Sequence, residues 1–314
     1  MPNSIDYAGI FNQALANKFA VSLRTADLEN NTLGITWDGG KYVNIPSIVM
    51  QGLGTVQGCA VPDGDYAFDF EPHEMQWYRG RSFSIPRYAV NETNFALNVG
   101  SLLNSFVEQQ VIPEVDILRI GHVADKAIGY TPDGGTTFPC VTYEGASASS
   151  TPLDDLLKDI GRIKNRVGEG RRIWCYISTA KKTELMLSNE LSRYLSVREE
   201  DRSGANVRIE SINDIPLIGV PSDYMHSKWT LRDGTTSGQE AGGLAVDSAG
   251  KTLNWLLVTE GSAIAVGYPR VSKIITPDEN QAGDCWRVMF TTYHGCFVPA
   301  QRILGLQANV QGTA

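Results

Sequence analysis

Apolar residues recur at helical spacing over one long segment, Asn91 to Asp116. Within NETNFALNVGSLLNSFVEQQVIPEVD they fall at Phe95, Val99, Leu102, Leu103, Phe106 and Val107. That is the stripe of one long helix with a single buried face. Asn91 reads as its N-cap, with Glu92 at the positive helix end and Asn94 three residues on. Pro113 is expected to break or kink the helix, and a second helical run is expected from Glu114 to Lys126.

Two strand-like runs precede this helix, Lys41 to Val49 and Arg81 to Tyr88. Each carries an internal proline, Pro46 and Pro86, which removes a ladder donor, so neither reads as a central strand. Between them lies an excursion rich in glycine, acids and aromatics, with no clear period. It reads either as a long hairpin tip or as a functional loop.

The rest of the chain alternates less regularly. Ile5 to Arg24 reads as a helix with Phe11, Leu15, Phe19 and Leu23 on one stripe, either an arm or an element packed on its own domain. Tyr130 to Ser150 is a polar connector. Thr151 caps a helix with Pro152 at its first position, and Leu153, Leu156, Leu157, Ile160, Ile163 and Val167 form the apolar stripe. Arg172 to Ser178 reads as a buried strand, followed by a helix capped by Ser178 or Thr179 that carries Leu185, Met186 and Leu187. Ile209 to Ile212 and Ile215 to Val220 read as short strands around Asn213-Asp214. Ser222 to Gly243 is polar and turn-rich. Leu253 to Val258, Ala263 to Val266, Val271 to Thr276, Cys285 to Thr292 and Cys296 to Val298 are further apolar or strand-like runs. This order predicts α+β rather than a doubly wound sheet.

Composition narrows the function. The 314 residues are 42% hydrophobic and 20% charged, an ordinary globular balance. A net charge of -8 argues against binding nucleic acid by neutralising phosphates, though not against a surface that merely faces it. No apolar run is long enough for a membrane span, and MPNSIDYAGIFNQ does not read as a signal peptide. The five cysteines, Cys59, Cys140, Cys175, Cys285 and Cys296, show no C-x-x-C spacing and read as reduced thiols.

No motif for chemistry emerges. A phosphate-binding P-loop and a nucleophile elbow are both missing, and Gly52 to Gly58 has the wrong spacing for a dinucleotide fingerprint. His73-Glu74 is half of a zinc-protease motif, but no His sits four residues after His73. His122, His226 and His294 lack fixed partners in sequence. Lys158, Arg162, Lys164, Arg166, Arg171 and Arg172 form the one basic concentration, which reads as the solvated face of an amphipathic helix or as a surface for DNA or an acidic partner. A structural or binding role is expected, with no catalytic residue, cofactor or metal. The competing reading is an α+β enzyme with the Gly-rich segment after Gln51 as a lid.

Three stretches taken in order resemble the major capsid protein of tailed bacteriophages, the Hong Kong 97-type fold. Val90-Asn91-Glu92-Thr93-Asn94 through Phe106, then Val111-Ile112-Pro113-Glu114-Val115-Asp116, is similar to the family's "DETN…F…E…IPE.D" signature at the start of the spine helix. Ile215 to Pro221 is similar to its "G.PVI.VP" strand. Ile275 to Trp286, then Thr292 to Val298, resembles the closing sheet of its peripheral domain.

The resemblance implies an N-terminal arm over 1–40 and an extended β-hairpin loop over 41–90 that reaches over a neighbouring subunit. It implies a peripheral domain over 91–129 and 268–299, an axial domain over 130–267, and a C-terminal tail over 300–314. The implied function is self-assembly of copies, as hexamers and pentamers, into an icosahedral shell around double-stranded DNA, without sequence-specific binding and without a membrane. Assembly in the host cytoplasm gives a virion component. A portal and a separate scaffolding protein are implied partners, since too few residues precede Lys41 for a built-in scaffold unless one has been trimmed. A bacterial nanocompartment shell shares the fold and stays open as an alternative. Between Ser47 and Gly80 there is no lysine, so the lysine cross-links of the family's type member are not expected. Phe11 and Leu15 in the arm, and Trp77, Tyr78 and Arg79 in the extended loop, are the expected inter-subunit contacts, being residue types enriched at interfaces or placed on an apolar stripe.

Overall fold

The computed structural model describes residues 22–29, 42–56, 63–92, 99–131, 140–144, 151–187, 195–202 and 205–312. Phe11, Leu15, most of the expected first helix and Cys59 lie outside them. In chain order, a short 3-10 turn (Ala26–Glu29) precedes strands β1 (Tyr42–Met50), β2 (Tyr66–Glu74) and β3 (Trp77–Pro86). Helices α1 (Arg87–Glu92) and α2 (Val99–Phe106), a π-turn (Val107–Val111) and α3 (Ile112–Ile128) follow. Then come β4 (Val141–Tyr143), α4 (Pro152–Val167), β5 (Ile173–Ser178), α5 (Thr179–Leu187), β6 (Leu195–Arg202), β7 (Ala205–Ile212) and β8 (Ile215–Val220). Strands β9 (Trp229–Leu231), β10 (Leu244–Val246), β11 (Leu253–Thr259), β12 (Ile264–Ile275), β13 (Cys285–Phe297) and β14 (Leu306–Val310) complete the chain.

A seven-stranded mixed sheet, β4-β14-β11-β5-β8-β7-β6, forms one body. Its central strands β5, β11 and β14 are buried along their whole length. Strands buried on both faces need a layer on each side. Leu153, Leu156, Ile160 and Ile163 of α4 cover one face, with Leu185 of α5. Ile120, Val123, Ala124 and Ala127 of α3 cover the other. Thr151 caps α4 as expected: its Oγ1 accepts from the Asp154 N–H at 3.3 Å and the Asp154 carboxylate accepts from the Thr151 N–H at 3.4 Å. Asn213 and Asp214 both take positive φ, which closes the two-residue β7–β8 hairpin.

The second sheet, β12-β13-β3, is three-stranded and antiparallel. Val271, Val288 and Phe290 on its inner face pack against Leu103, Val107, Val111, Ile112 and Val115. The spine formed by α2, the π-turn and α3 therefore lies on this sheet with its first half and on the seven-stranded sheet with its second.

Several expectations change. Pro113 does not break the spine. The preceding turn is π-helical, with the Ile112 N–H donating to the Val107 carbonyl, so the proline enters as a first-turn residue of α3, where its missing donor costs little. Asn91 is not an N-cap but lies inside α1. The runs Ala263–Val266 and Val271–Thr276 belong to the single strand β12, and Cys285–Thr292 and Cys296–Val298 to the single strand β13. The expected C-terminal tail contains β14, inserted between β4 and β11 in the larger sheet. Likewise the segment 22–29 is docked rather than loose, with Leu23 and Leu28 buried in two different cores.

Candidate assembly surfaces

The excursion after β1 is a hairpin. β1 and β2 pair antiparallel from Tyr42↔Glu74 to Met50↔Tyr66. Its base is anchored: Val43, Ile45 and Met75 are buried against Ile264 and Phe297. Its outer part has no such support among the described residues. Pro46, Ile48 and Met50 pair with Phe70, Phe68 and Tyr66, which puts all six on one face. Phe68 and Phe70 are more than half exposed, Met50 is 71% exposed and Tyr66 73%. Leu53 and Val56 near the tip are exposed too. A two-stranded ribbon with a bare apolar face is marginal by itself, and a contiguous apolar patch of this kind marks an interaction surface.

The residues singled out at the start of β3 separate into two kinds. Tyr78 is 69% exposed and its ring meets Tyr293 edge-on at 5.2 Å, on the sheet face away from the spine. Trp77 and Arg79 point the other way and are engaged within the chain. The Trp77 ring lies 5.1 Å from His294 and 5.8 Å from His122 and packs on the core of the larger sheet. The Arg79 guanidinium donates to both Glu114 oxygens, at 2.6 and 3.3 Å. It also donates to the carbonyls of Arg232 at 2.8 Å and Gly243 at 3.1 Å, the two ends of the β9–β10 loop. Two strand positions on, Arg81 donates to the Glu240 carbonyl at 3.0 Å. Gly234 and Gly242, both at positive φ, leave room for it; a Cβ there would sit 2.8 and 3.0 Å from Arg81 Nη1. β3 thus clamps the loop to the spine.

A buried charged network fixes the segment 22–29 to the spine. Asp116 accepts from the N–H groups of Arg24 and Thr25 at 3.1 and 3.0 Å and from Thr25 Oγ1 at 2.7 Å. Arg119, fully buried, donates to Glu29 at 2.6 Å and to Thr25 Oγ1 at 3.3 Å. Arg24 donates to the Gly219 carbonyl. Burial raises the Asp116 carboxyl above the usual range, with the Thr25 and Arg24 bonds and Arg119 pulling it back. Sequence reasoning missed this network; its signal was two charged residues one turn apart in the apolar run VDILRIGHVA.

The other candidates resolve into local chemistry. Lys158 and Arg162 pair with Asp155 and Asp159 of their own helix, and Arg166 donates to Gln307 at 2.5 Å and to the Leu306 carbonyl at 3.3 Å. Cys140, Cys175, Cys285 and Cys296 are free thiols. Burial raises Cys140, Cys175 and Cys296, the last to about 12, which makes all three poor nucleophiles. His294 is pushed down to about 3 by burial and by Arg119 and Arg79, and His122 to about 4 by burial and Lys126. Among the described residues no group of His, Cys, Asp or Glu could hold a metal ion. No described helix is long and apolar enough to cross a membrane.

Solved capsid structures share this architecture. The capsid of cyanophage P-SCSP1u matches with a TM-score of 0.58 over 89% of this chain and 86% of that one, at 11% identity. The fold is that of a phage capsid shell. A structure from Mycobacterium phage Ogopogo has a TM-score of 0.52 at 10% identity, covering 93% of this chain and 92% of its own. The mature capsid of bacteriophage PhiM1 has a TM-score of 0.54 at 11% identity, covering 88% and 84%. No protein-family model and no curated protein matches the chain. The mixture of helices and sheets is the α+β class expected from sequence.

Proposed function

We propose that this chain is the major capsid protein of a tailed phage, a structural protein and not an enzyme. Copies associate as hexamers and pentamers into an icosahedral shell that encloses double-stranded DNA. The carrying observation is the hairpin: six apolar side chains on one face, anchored at the base and bare beyond it, need a surface that the described residues do not supply. A shell of identical copies supplies it repeatedly. On this reading Tyr78 and the hairpin face contact a neighbour directly, and Trp77 and Arg79 hold the strand from which the hairpin projects. Phe11 and Leu15 remain proposed arm contacts. A separate scaffolding protein and a portal complete assembly in the host cytoplasm, and the DNA is enclosed without base-specific contacts, in keeping with the net charge of -8.

Sedimentation and negative-stain microscopy of the chain co-expressed with its neighbouring genes, followed by a nuclease-protection assay, test this. Closed shells that protect DNA are the expected result. Shells filled with a cargo protein would replace the phage reading by a nanocompartment, and a chain that stays monomeric under every condition would overturn both.

A further inference from the structure

A cleft of about 810 Å3 opens between β3, the spine and the β9–β10 loop. Small-molecule sites usually enclose about 300–1,000 Å3, mostly apolar, with a few convergent polar groups. The β3–β13 register sets out the floor of this one. Arg79 stands across from Thr292 and Arg81 across from Phe290. At a strand rise of about 3.3 Å per residue, Thr292 and Phe290 lie about 7 Å apart. A polar end and an apolar end therefore adjoin within the length of one small molecule. The apolar end is aromatic. The rings of Phe83 and Phe290 both meet Phe106 edge to face, with centroids 4.8 and 5.5 Å apart. At the polar end, Thr292 Oγ1 and both ring nitrogens of His294 are buried with no hydrogen-bond partner among the described residues. Buried polar groups are almost always satisfied. His294, pushed down to about 3, is neutral at ordinary pH and offers one N–H and one lone pair.

Charge chooses the ligand. Three guanidiniums line the cleft, those of Arg79, Arg81 and Arg232, against the two carboxylates of Glu114 and Asp233. Both carboxylates are already committed. Glu114 accepts from Arg79. Asp233 accepts from the N–H groups of Thr235 and Thr236 and from the Thr236 hydroxyl. Arg81 donates to the Glu240 carbonyl, and among the described residues neither Arg81 nor Arg232 has a carboxylate at ion-pair distance. A ring that fills the aromatic end thus finds two uncompensated cations and an unused hydroxyl beside it. We infer that the cleft is a binding site for a small aromatic carboxylate. Its ring lies against Phe83, Phe106 and Phe290, its carboxylate meets Arg81 and Arg232, and Thr292 Oγ1 donates to it. The bound acid would bridge the aromatic wall to the β9–β10 loop, which Arg79 already ties to the spine at Arg232 and Gly243. The inference concerns a single chain and does not rest on the shell reading.

Titration calorimetry of the full chain with 2-naphthylacetate, its neutral amide and octanoate tests the assignment. The naphthyl acid is expected to saturate a single site on each chain. The amide lacks the charge and octanoate lacks the ring, so each is expected to bind about tenfold more weakly. Arg232→Gln is expected to weaken the acid about tenfold and to leave the amide unchanged. Thr292→Val keeps the side-chain shape and removes the hydroxyl; a loss of about fivefold for the acid is expected, with no fall in melting temperature. No saturable binding of the acid, or equal binding of acid and amide by the wild-type chain, would overturn the inference without any variant having to fold. An affinity for the acid untouched by both substitutions would place its site elsewhere and overturn it too. Sedimentation scores shell formation separately, so each of these failures leaves the shell reading standing.

Discussion

At the scale of single residues, the polar groups of this protein are used to join pieces of backbone. Arg79 spans β3, the spine and both ends of the β9–β10 loop with four hydrogen bonds, and it is only 20% exposed. Removing one partner of such a pair strands the other in a poorly hydrated place. Glu114→Gln is therefore expected to lower stability by about 1–3 kcal/mol, and to speed hydrogen exchange over 232–243 more than elsewhere. Unchanged exchange in that loop would show that the clamp does not hold it. The histidines flanking Trp77 give a pH signature. His294 binds a proton near pH 3 when folded, against 6.5 ordinarily. Its contribution is complete above about pH 6.5 and is lost as pH falls toward 3, by about 1.4 kcal/mol per unit. His122, lowered to about 4, acts in the same direction. The buried carboxyls Asp116 and Asp159, raised by burial, act oppositely above their ordinary 3.8, so the effect is cleanest toward the upper end of the range between pH 6.5 and 5. Urea midpoints should fall over that interval, and His294→Gln should flatten the fall; a wild-type midpoint constant from pH 7 to 5 would refute it.

At the scale of elements, what was readable followed from period and caps. The stripe Leu153 to Ile163, the Thr151 cap and the all-buried β5 appear where the sequence puts them, because local pattern and tertiary burial agree there. The π-turn was not readable. Pro113 signals a helix break, and only the packing of Val107, Val111 and Val115 on one sheet shows why the helix continues. β2 was hidden because a strand bare on both faces has no burial alternation to leave in its sequence. β14 was hidden by its shortness and terminal place. Of the proposed contact residues Trp77, Tyr78 and Arg79, the sequence did not show which one faces outward, because pleat direction is set by the β3–β13 register. The hairpin element makes its own prediction. Phe68→Ser with Phe70→Ser touches no core, so monomer stability should shift by less than about 0.5 kcal/mol while particle yield collapses. A matched loss of melting temperature would mean that the hairpin supports its own fold instead.

At the scale of the whole molecule, the proposed shell raises the question whether its chains would be welded or merely packed. Covalent linkage through lysine needs an amine on the part that reaches a neighbour, and the hairpin offers none from Ser47 to Gly80. Linkage through disulfides needs accessible thiols; Cys140, Cys175 and Cys296 are buried, and Cys285 is only partly exposed. What remains is area. An exposed aromatic face on every copy, each contact modest alone, is multiplied by the number of copies and by the closure of the shell, so that no subunit leaves without breaking contacts to several neighbours at once. Such a shell resists dilution but not denaturant. Particles boiled in detergent should therefore run as a single band at 34.3 kDa, with or without reductant. A ladder that survives reductant would establish a covalent link through another lysine. A ladder that collapses with reductant would place the bridge at Cys59, on the hairpin segment, or at the partly exposed Cys285.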